Sequence, residues 1–238
     1  MSLSIIIPLK NEEKNIKSLF FNIKKRIKCK FEICFVDDFS NDASRQVINE
    51  LKNKNKNKNE IKYFKNPKPG LGSAINTGIL KSKFKYIVLM MCDSSDDINN
   101  LNKYYKLIKK HNLDAIFGSR FYKTSKVENY PLKKLIFNRI FNFIVSIMFL
   151  NKFNDYTNAF KIYKKEILKK LLPIVSESFN VFLELPLKII SRNYRYMSIP
   201  INWYGRKKGN SKFQIKELGS KYFFTLLYCW LERLLLKF

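Results

Sequence analysis

The sequence predicts an α/β fold with a mainly parallel central sheet flanked by helices. Three observations carry that reading. Short apolar runs recur along the first half of the chain, segments of roughly a dozen residues with helical apolar spacing separate them, and polar clusters close most of the runs. Strands alternating with helices of that length make βαβ units, whose strands are buried on both faces.

The elements follow in order. "LSIIIPL" is a strand broken by proline, and "NEEKNIKSLFFNIKKRI" a helix. "FEICFVDD" is the second strand, "ASRQVINELK" the second helix and "IKYFKN" the third strand. "GSAINTGILKS" begins a helix after a Gly-rich turn. "YIVLMMCD", running to Asp93, is the fourth strand, "INNLNKYYKLIKK" a helix and "LDAIFGSR" the fifth strand. In such sheets ligands bind beyond the carboxyl ends of the strands. Those ends read Pro8 to Glu12, Asp37-Asp38, Asp93 with its neighbours, and Gly118-Ser119-Arg120. Helix capping accounts for Asn11, Ser40 or Asp97 taken singly. It accounts poorly for Asp37 and Asp93, which close strands.

The second half reads differently. Pro131 to Phe153 is strongly apolar yet interrupted by Asn138, Arg139 and Asn142. A spanning helix needs about 20 largely uncharged residues, so the stretch at about 132–150 is expected to lie in a membrane interface. The C-terminal "YFFTLLYCWLERLLLKF" places Phe223, Leu226, Leu227, Trp230, Leu231, Leu234 and Leu235 at helical spacing, between Lys221 and Lys237. It reads as a second amphipathic surface helix, with a core helix as the alternative. The expected organisation is one domain over 1–215 and this helix over 216–238.

Composition narrows the partners. Of 238 residues, 46 are Lys or Arg and 19 are Asp or Glu, a net charge of +27. Such a balance favours anionic surfaces, nucleic acid or lipid headgroups. The aromatics sit in apolar runs rather than interleaved with arginine, which argues against nucleic acid. "LKNKNKNKNE" has no periodicity and reads as a solvated loop. The cysteines show no CxxC spacing, and His111 stands alone, so neither a zinc site nor a disulfide framework is expected. "MSLSIIIPLK" has no charged leader, so the chain is expected to stay in the cytoplasm.

Scarce carboxylates gathered at one strand end of a basic chain suit a divalent cation that holds a diphosphate. Mg²⁺ or Mn²⁺ takes few protein oxygens and keeps its other positions for water and phosphate. Asp93 and Ser95, two residues apart on an extended segment, would ligate it. Arg120, Lys161, Arg206 and Lys212 are candidates for the phosphates. Gly70 and Gly72 of "PGLGSAINTG" would bring backbone close to sugar or phosphate, but the dinucleotide fingerprint is incomplete.

These stretches together resemble family 2 glycosyltransferases of the GT-A fold, in the dolichyl- and polyprenyl-phosphate hexosyltransferase group. "SIIIPLKNEEKNI", "FVDDFSNDAS", "NPKPGLGSAINTGI", "MCDSSDD", "FGSRF", "DYTNAFKIY", "FLELPLKI" and "IPINWYGRKKGNSKF" occur in the family's order. The resemblance implies that Pro8, Asn11 and Glu12 form the first nucleotide loop, that Asp37 reads the base and that Asp38 lies near the ribose. Asp93 matches the last aspartate of the metal motif, whose first position is Met91 here. Arg120, Arg139 and Lys161 fall where acceptor phosphate is held, with Asp155 and Glu184 in support. Arg206, Ser211 and Lys212 match a loop closing over the diphosphate and the acceptor phosphate, the last two on the acceptor phosphate.

The implied reaction is inverting transfer of a hexose from a nucleotide-diphosphate sugar to a polyprenyl phosphate. The enzyme is expected to be peripheral or monotopic on the cytoplasmic face. The competing reading is transfer to a glycan or lipid hydroxyl, with Asp96 or Asp97 as base.

Overall fold

The computed structural model describes residues 2–55, 57, 60–205 and 215–236. The expected alternation is present: β1 (Ser2–Leu9), α1 (Glu13–Arg26), β2 (Lys30–Asp37), α2 (Ser44–Lys54), β3 (Ile61–Lys65), α3 (Leu71–Lys81), β4 (Tyr86–Leu89), α4 (Asn99–Lys110) and β5 (Ala115–Ser119). Beyond it come β6 (Val127–Glu128), α5 (Leu132–Met148), β7 (Lys161–Lys164), α6 (Lys165–Lys170), α7 (Val181–Ser191), β8 (Tyr196–Pro200), β9 (Trp203–Tyr204) and α8 (Ile215–Leu235).

The central sheet has the order β3-β2-β1-β4-β7-β5-β8. All its strands run parallel except β7, which is antiparallel to both β4 and β5. That single reversal matters for the site. It puts the first residue of β7, Lys161, opposite Leu89 and Phe117, at the same edge as the carboxyl ends of β4 and β5.

The fourth strand stops at Leu89 rather than running to Asp93. Proline explains the early end. The Met90 amide donates to the Ile6 carbonyl at 3.1 Å, and the next rung of that parallel ladder would need an amide proton from Pro8, which has none. The chain is therefore free to turn before the acidic cluster.

Two hydrophobic cores cover the two faces. One takes Ile16 and Leu19 of α1, Ile48 of α2 and Leu101 and Tyr104 of α4. The other takes Ile75 of α3, Val145 of α5, Leu183 and Leu187 of α7, and Tyr222, Leu226 and Cys229 of α8. The C-terminal helix is thus not a detached unit. Leu226, expected on a lipid face, is buried, while Phe223, Phe224, Leu231 and Leu235 point outward. Asn180 donates to the Thr225 hydroxyl at 2.8 Å, and Arg192 pairs with Glu232. One side of α8 is core and the other is exposed and apolar. Among the described residues no helix is long and apolar enough to cross a membrane.

Candidate active site

Leu9, Asp37 and Leu89 close their strands along one edge, and the first polar group there is built around Asp37. Its carboxylate accepts from the Tyr63 hydroxyl and from the Ser40 amide, both at 2.9 Å. Burial, with Asp37 adding to it, pushes the Tyr63 phenol up to about 12. Pro8 is buried beside Val36 in the β1–β2 ladder. Asn11 turns the chain with φ 55°, donates its amide to Ser40 Oγ and accepts from the Asn41 amide. Glu12 is buried, its amide on Ser44 Oγ and its carboxylate on Asn15. The first loop and the β2 end are therefore one hydrogen-bonded block.

Asp38 does something the sequence did not announce. Its carboxylate receives the Gly70 amide at 2.9 Å and Asn66 Nδ2 at 2.8 Å, tying the Gly-rich turn to β2. The two glycines also serve the packing of the turn itself. Gly70 has φ +124°, a backbone state that glycine adopts without strain. A β-carbon on Gly72 would lie 1.7 Å from the Ser176 carbonyl oxygen, so a neighbouring backbone takes that space. That backbone is hung from Glu184, whose two oxygens accept the Val175 and Ser176 amides at 3.1 and 2.8 Å while Lys188 pairs with it at 2.6 Å. Glu184 supports the start of α3 at second hand.

The acidic cluster is a tight turn rather than the extended segment expected. Ser94 has φ 57°, and the Ser95 amide bonds back to Asp93 Oδ1 at 3.1 Å. Ser95 is buried and its hydroxyl oxygen has no hydrogen-bond partner. Asp96 is also buried, forming a bridge with Trp203. Burial, and then the charge of Asp93, push its carboxyl up to about 8. Asp97 leaves the group, its carboxylate accepting the Asn99 amide at the start of α4. Among the described residues no three His, Cys, Asp or Glu side chains gather as a metal cage. An orphaned serine oxygen beside two mutually repelling carboxylates still fits a cation that draws most of its ligands from diphosphate and water.

Across the edge stands a buried ion pair. Arg120 Nε and Nη2 meet Asp155 at 2.8 and 2.6 Å, and the Arg120 amide also donates to Asp155. Burial opposes the charge, but the Asp155 carboxylate outweighs it and holds the guanidinium above its ordinary pKa. Phe121, Tyr130 and Trp203 pack around the fork. Arg139 lies over the other neighbour of that fork, the Phe121 ring, 4.8 Å from its centroid, and is exposed.

Lys161 departs from its expected role. Its ammonium is buried and donates to the Tyr156 and Asn158 carbonyls, so it staples the 155–160 loop instead of facing a phosphate. Burial brings its pKa down to about 7. Arg206, Ser211 and Lys212 lie outside the described residues.

The helix beside this pair is inverted. α5 buries Asn142 and Val145 and exposes Leu132, Ile136, Phe137, Ile140, Phe143, Ile144 and Ile147 at 45–69%. A continuous apolar stripe of that kind marks an interaction surface.

An open, mainly parallel α/β sheet with acidic and basic groups facing one another at its carboxyl edge is the layout of a nucleotide-sugar transferase. The chain belongs to glycosyl transferase family 2, whose family model matches residues 4–172. It is 27% identical over 224 residues to a dolichol-phosphate mannosyltransferase of Pyrococcus furiosus, covering 92% of this chain and 61% of that protein. It is 24% identical over 213 residues to a polyprenol monophosphomannose synthase of Mycolicibacterium smegmatis, covering 87% and 79%. The chain thus spans about three fifths of the first relative's length. Its fold is also that of a glucosyl-3-phosphoglycerate synthase from Mycobacterium tuberculosis, solved with Mn²⁺, UDP and phosphoglyceric acid. That likeness has a TM-score of 0.71 at 14% identity, over 96% of this chain and 78% of the other.

Proposed function

We propose that this glycosyltransferase moves a hexose from a nucleotide-diphosphate sugar to a polyprenyl phosphate at a membrane surface, with inversion at the anomeric carbon. The observation that carries the reading is the inverted helix α5, whose outer face is apolar and whose inner face touches the loop of Asp155. A helix that turns its hydrophobic stripe away from the protein core suits a lipid boundary, which is where a polyprenyl phosphate presents its headgroup. The names of the two relatives support the same acceptor class.

In this reading the Asp37 block binds the nucleotide. Asp93 and Ser95 would hold a divalent cation, which offsets the charge of the departing diphosphate. A phosphate monoester has a second pKa near ~6, so its oxygen attacks the anomeric carbon already ionised while the bond to the diphosphate breaks. No general base is needed. The hydroxyl-acceptor alternative does need one, and it loses support because Asp96 is buried and Asp97 accepts the Asn99 amide at the start of α4. Arg139, exposed over the Phe121 ring, is an accessible cation for the incoming phosphate.

The test is transfer from a panel of labelled nucleotide sugars to polyprenyl phosphate in detergent, with and without a chelator. Label in a mild-acid-labile lipid, lost on chelation and in Asp93→Asn, is the expected result. Label reaching only hydroxyl acceptors would overturn the reading.

A further inference from the structure

Asn138 and Asn142, which break the apolar run of α5, determine the direction of a hydrogen-bond chain that ends at Arg120. The chain begins at a backbone amide, which can only donate. The Tyr156 amide donates to Asn142 at 2.6 Å, so that contact must be Asn142 Oδ1. Asn142 Nδ2 then faces Asn138, donating to its backbone carbonyl and to its Oδ1, both at 2.8 Å. With Oδ1 so occupied, Asn138 presents Nδ2 to Thr157 Oγ1 at 2.9 Å. Arg120 Nη2, also a donor only, reaches the same hydroxyl oxygen at 3.4 Å.

A hydroxyl has two acceptor positions and one hydrogen. Both acceptor positions of Thr157 are filled by donors, so its hydrogen cannot point at Asn138 or at Arg120. It must point elsewhere, toward an acceptor. Thr157 is only half-buried, and its charged neighbours are Arg120 in direct contact, Arg139 across the Phe121 ring that both guanidiniums touch, and the Asp155 carboxylate, which already takes three bonds from Arg120. The group that satisfies a free hydrogen beside two guanidiniums is an anionic oxygen.

We infer that Thr157 is an acceptor-phosphate ligand, its hydroxyl aimed by Asn138 and Asn142 so that it donates to the phosphate held alongside Arg120 and Arg139. This rests on the phosphate-acceptor reading above and adds two functions to it. Thr157 binds the acceptor. Asn138 is a positioning residue that acts through Thr157, and it ties the binding of phosphate to the helix whose outer face is apolar.

The test is the transfer assay with a short-chain polyprenyl phosphate, comparing wild type with Thr157→Val, Thr157→Ser and Asn138→Leu. Val keeps the shape of Thr and removes the hydroxyl, while Ser restores it. A hydrogen bond to a charged group lost in this way raises the acceptor KM about tenfold or more. The expected result is that rise in Thr157→Val and Asn138→Leu, recovery in Thr157→Ser, and a donor KM that does not move. Thermal unfolding of each variant separates loss of binding from loss of fold. Thr157→Val with a wild-type acceptor KM overturns the inference and leaves the acceptor class standing. A wild-type enzyme that glycosylates no phosphate acceptor removes both.

Discussion

Helices α4 and α5 carry opposite solutions to the same problem. α4 buries Leu101, Tyr104, Tyr105 and Ile108 against the sheet and turns Lys103, Lys106, Lys109 and Lys110 outward. α5 turns Asn138 and Asn142 inward, both hydrogen-bonded to the site loop, with Val145 in the core, and leaves Leu132, Phe137, Phe143 and its four isoleucines exposed. The first pattern is what water demands of a surface helix. The second leaves an apolar stripe exposed, which marks an interaction surface. In the proposed reading β1 to β4 carry the donor and β5 to α8 the acceptor, and among the described residues the second group exposes the larger set of apolar side chains, on α5 and α8.

The comparison can be broken from either side. The largest expected effect lies at the seam, where Asp155→Asn would leave the buried Arg120 charge under-compensated. Breaking a buried pair in this way costs about 3–5 kcal/mol, so denaturant unfolding should show a loss of that order. A loss below about 1 kcal/mol, the scale of an exposed pair, would mean the acceptor half is not organised around that pair.

A smaller effect sharpens the contrast between the helices themselves. Ile140 and Phe143 are 52% and 65% exposed, so Ile140→Lys with Phe143→Lys leaves the core untouched. Removing two apolar anchors worth roughly 1.5–3 kcal/mol each should lower binding to vesicles of mixed zwitterionic and anionic phospholipid by about a hundredfold or more. The matching change on α4, Lys103→Ser with Lys106→Ser, removes at most about 1 kcal/mol per cation. Should the α4 variant lose vesicle binding as fully as the α5 variant, the basic face and not the apolar one meets the lipid.

The smallest effect concerns the donor half alone. Asp37→Asn should raise the donor KM about tenfold through one weakened hydrogen bond and leave the acceptor KM unchanged. It should also let the Tyr63 phenol fall from about 12 toward its ordinary value, because the Asp37 charge that helps raise it is gone. Tyrosine ring NMR across the alkaline range reads that shift. An acceptor KM that moved with the donor KM would show the two halves to be one site.

The sequence by itself determined the order of elements from β1 to β4. Period and punctuation are local, so "SIIIPL", "FEICFVDD" and the helices between them are legible from neighbours alone, and a parallel sheet then brings Asn11, Asp37 and Asp93 to one edge. The sheet order beyond β4 was not legible. Lys161 enters an antiparallel strand between β4 and β5, and only that pairing decides that its ammonium is used on the Tyr156 and Asn158 carbonyls. Gly72 reads as a phosphate approach, and only the fold brings Ser176, a hundred residues further along, against it. Leu226 and Leu231 look alike in a helical pattern that is apolar nearly all round, and only packing on α7 sends the first into the core and leaves the second outside. Period says that a helix has faces. Which face meets the core depends on contacts between residues far apart in the chain, and those exist only in the folded molecule.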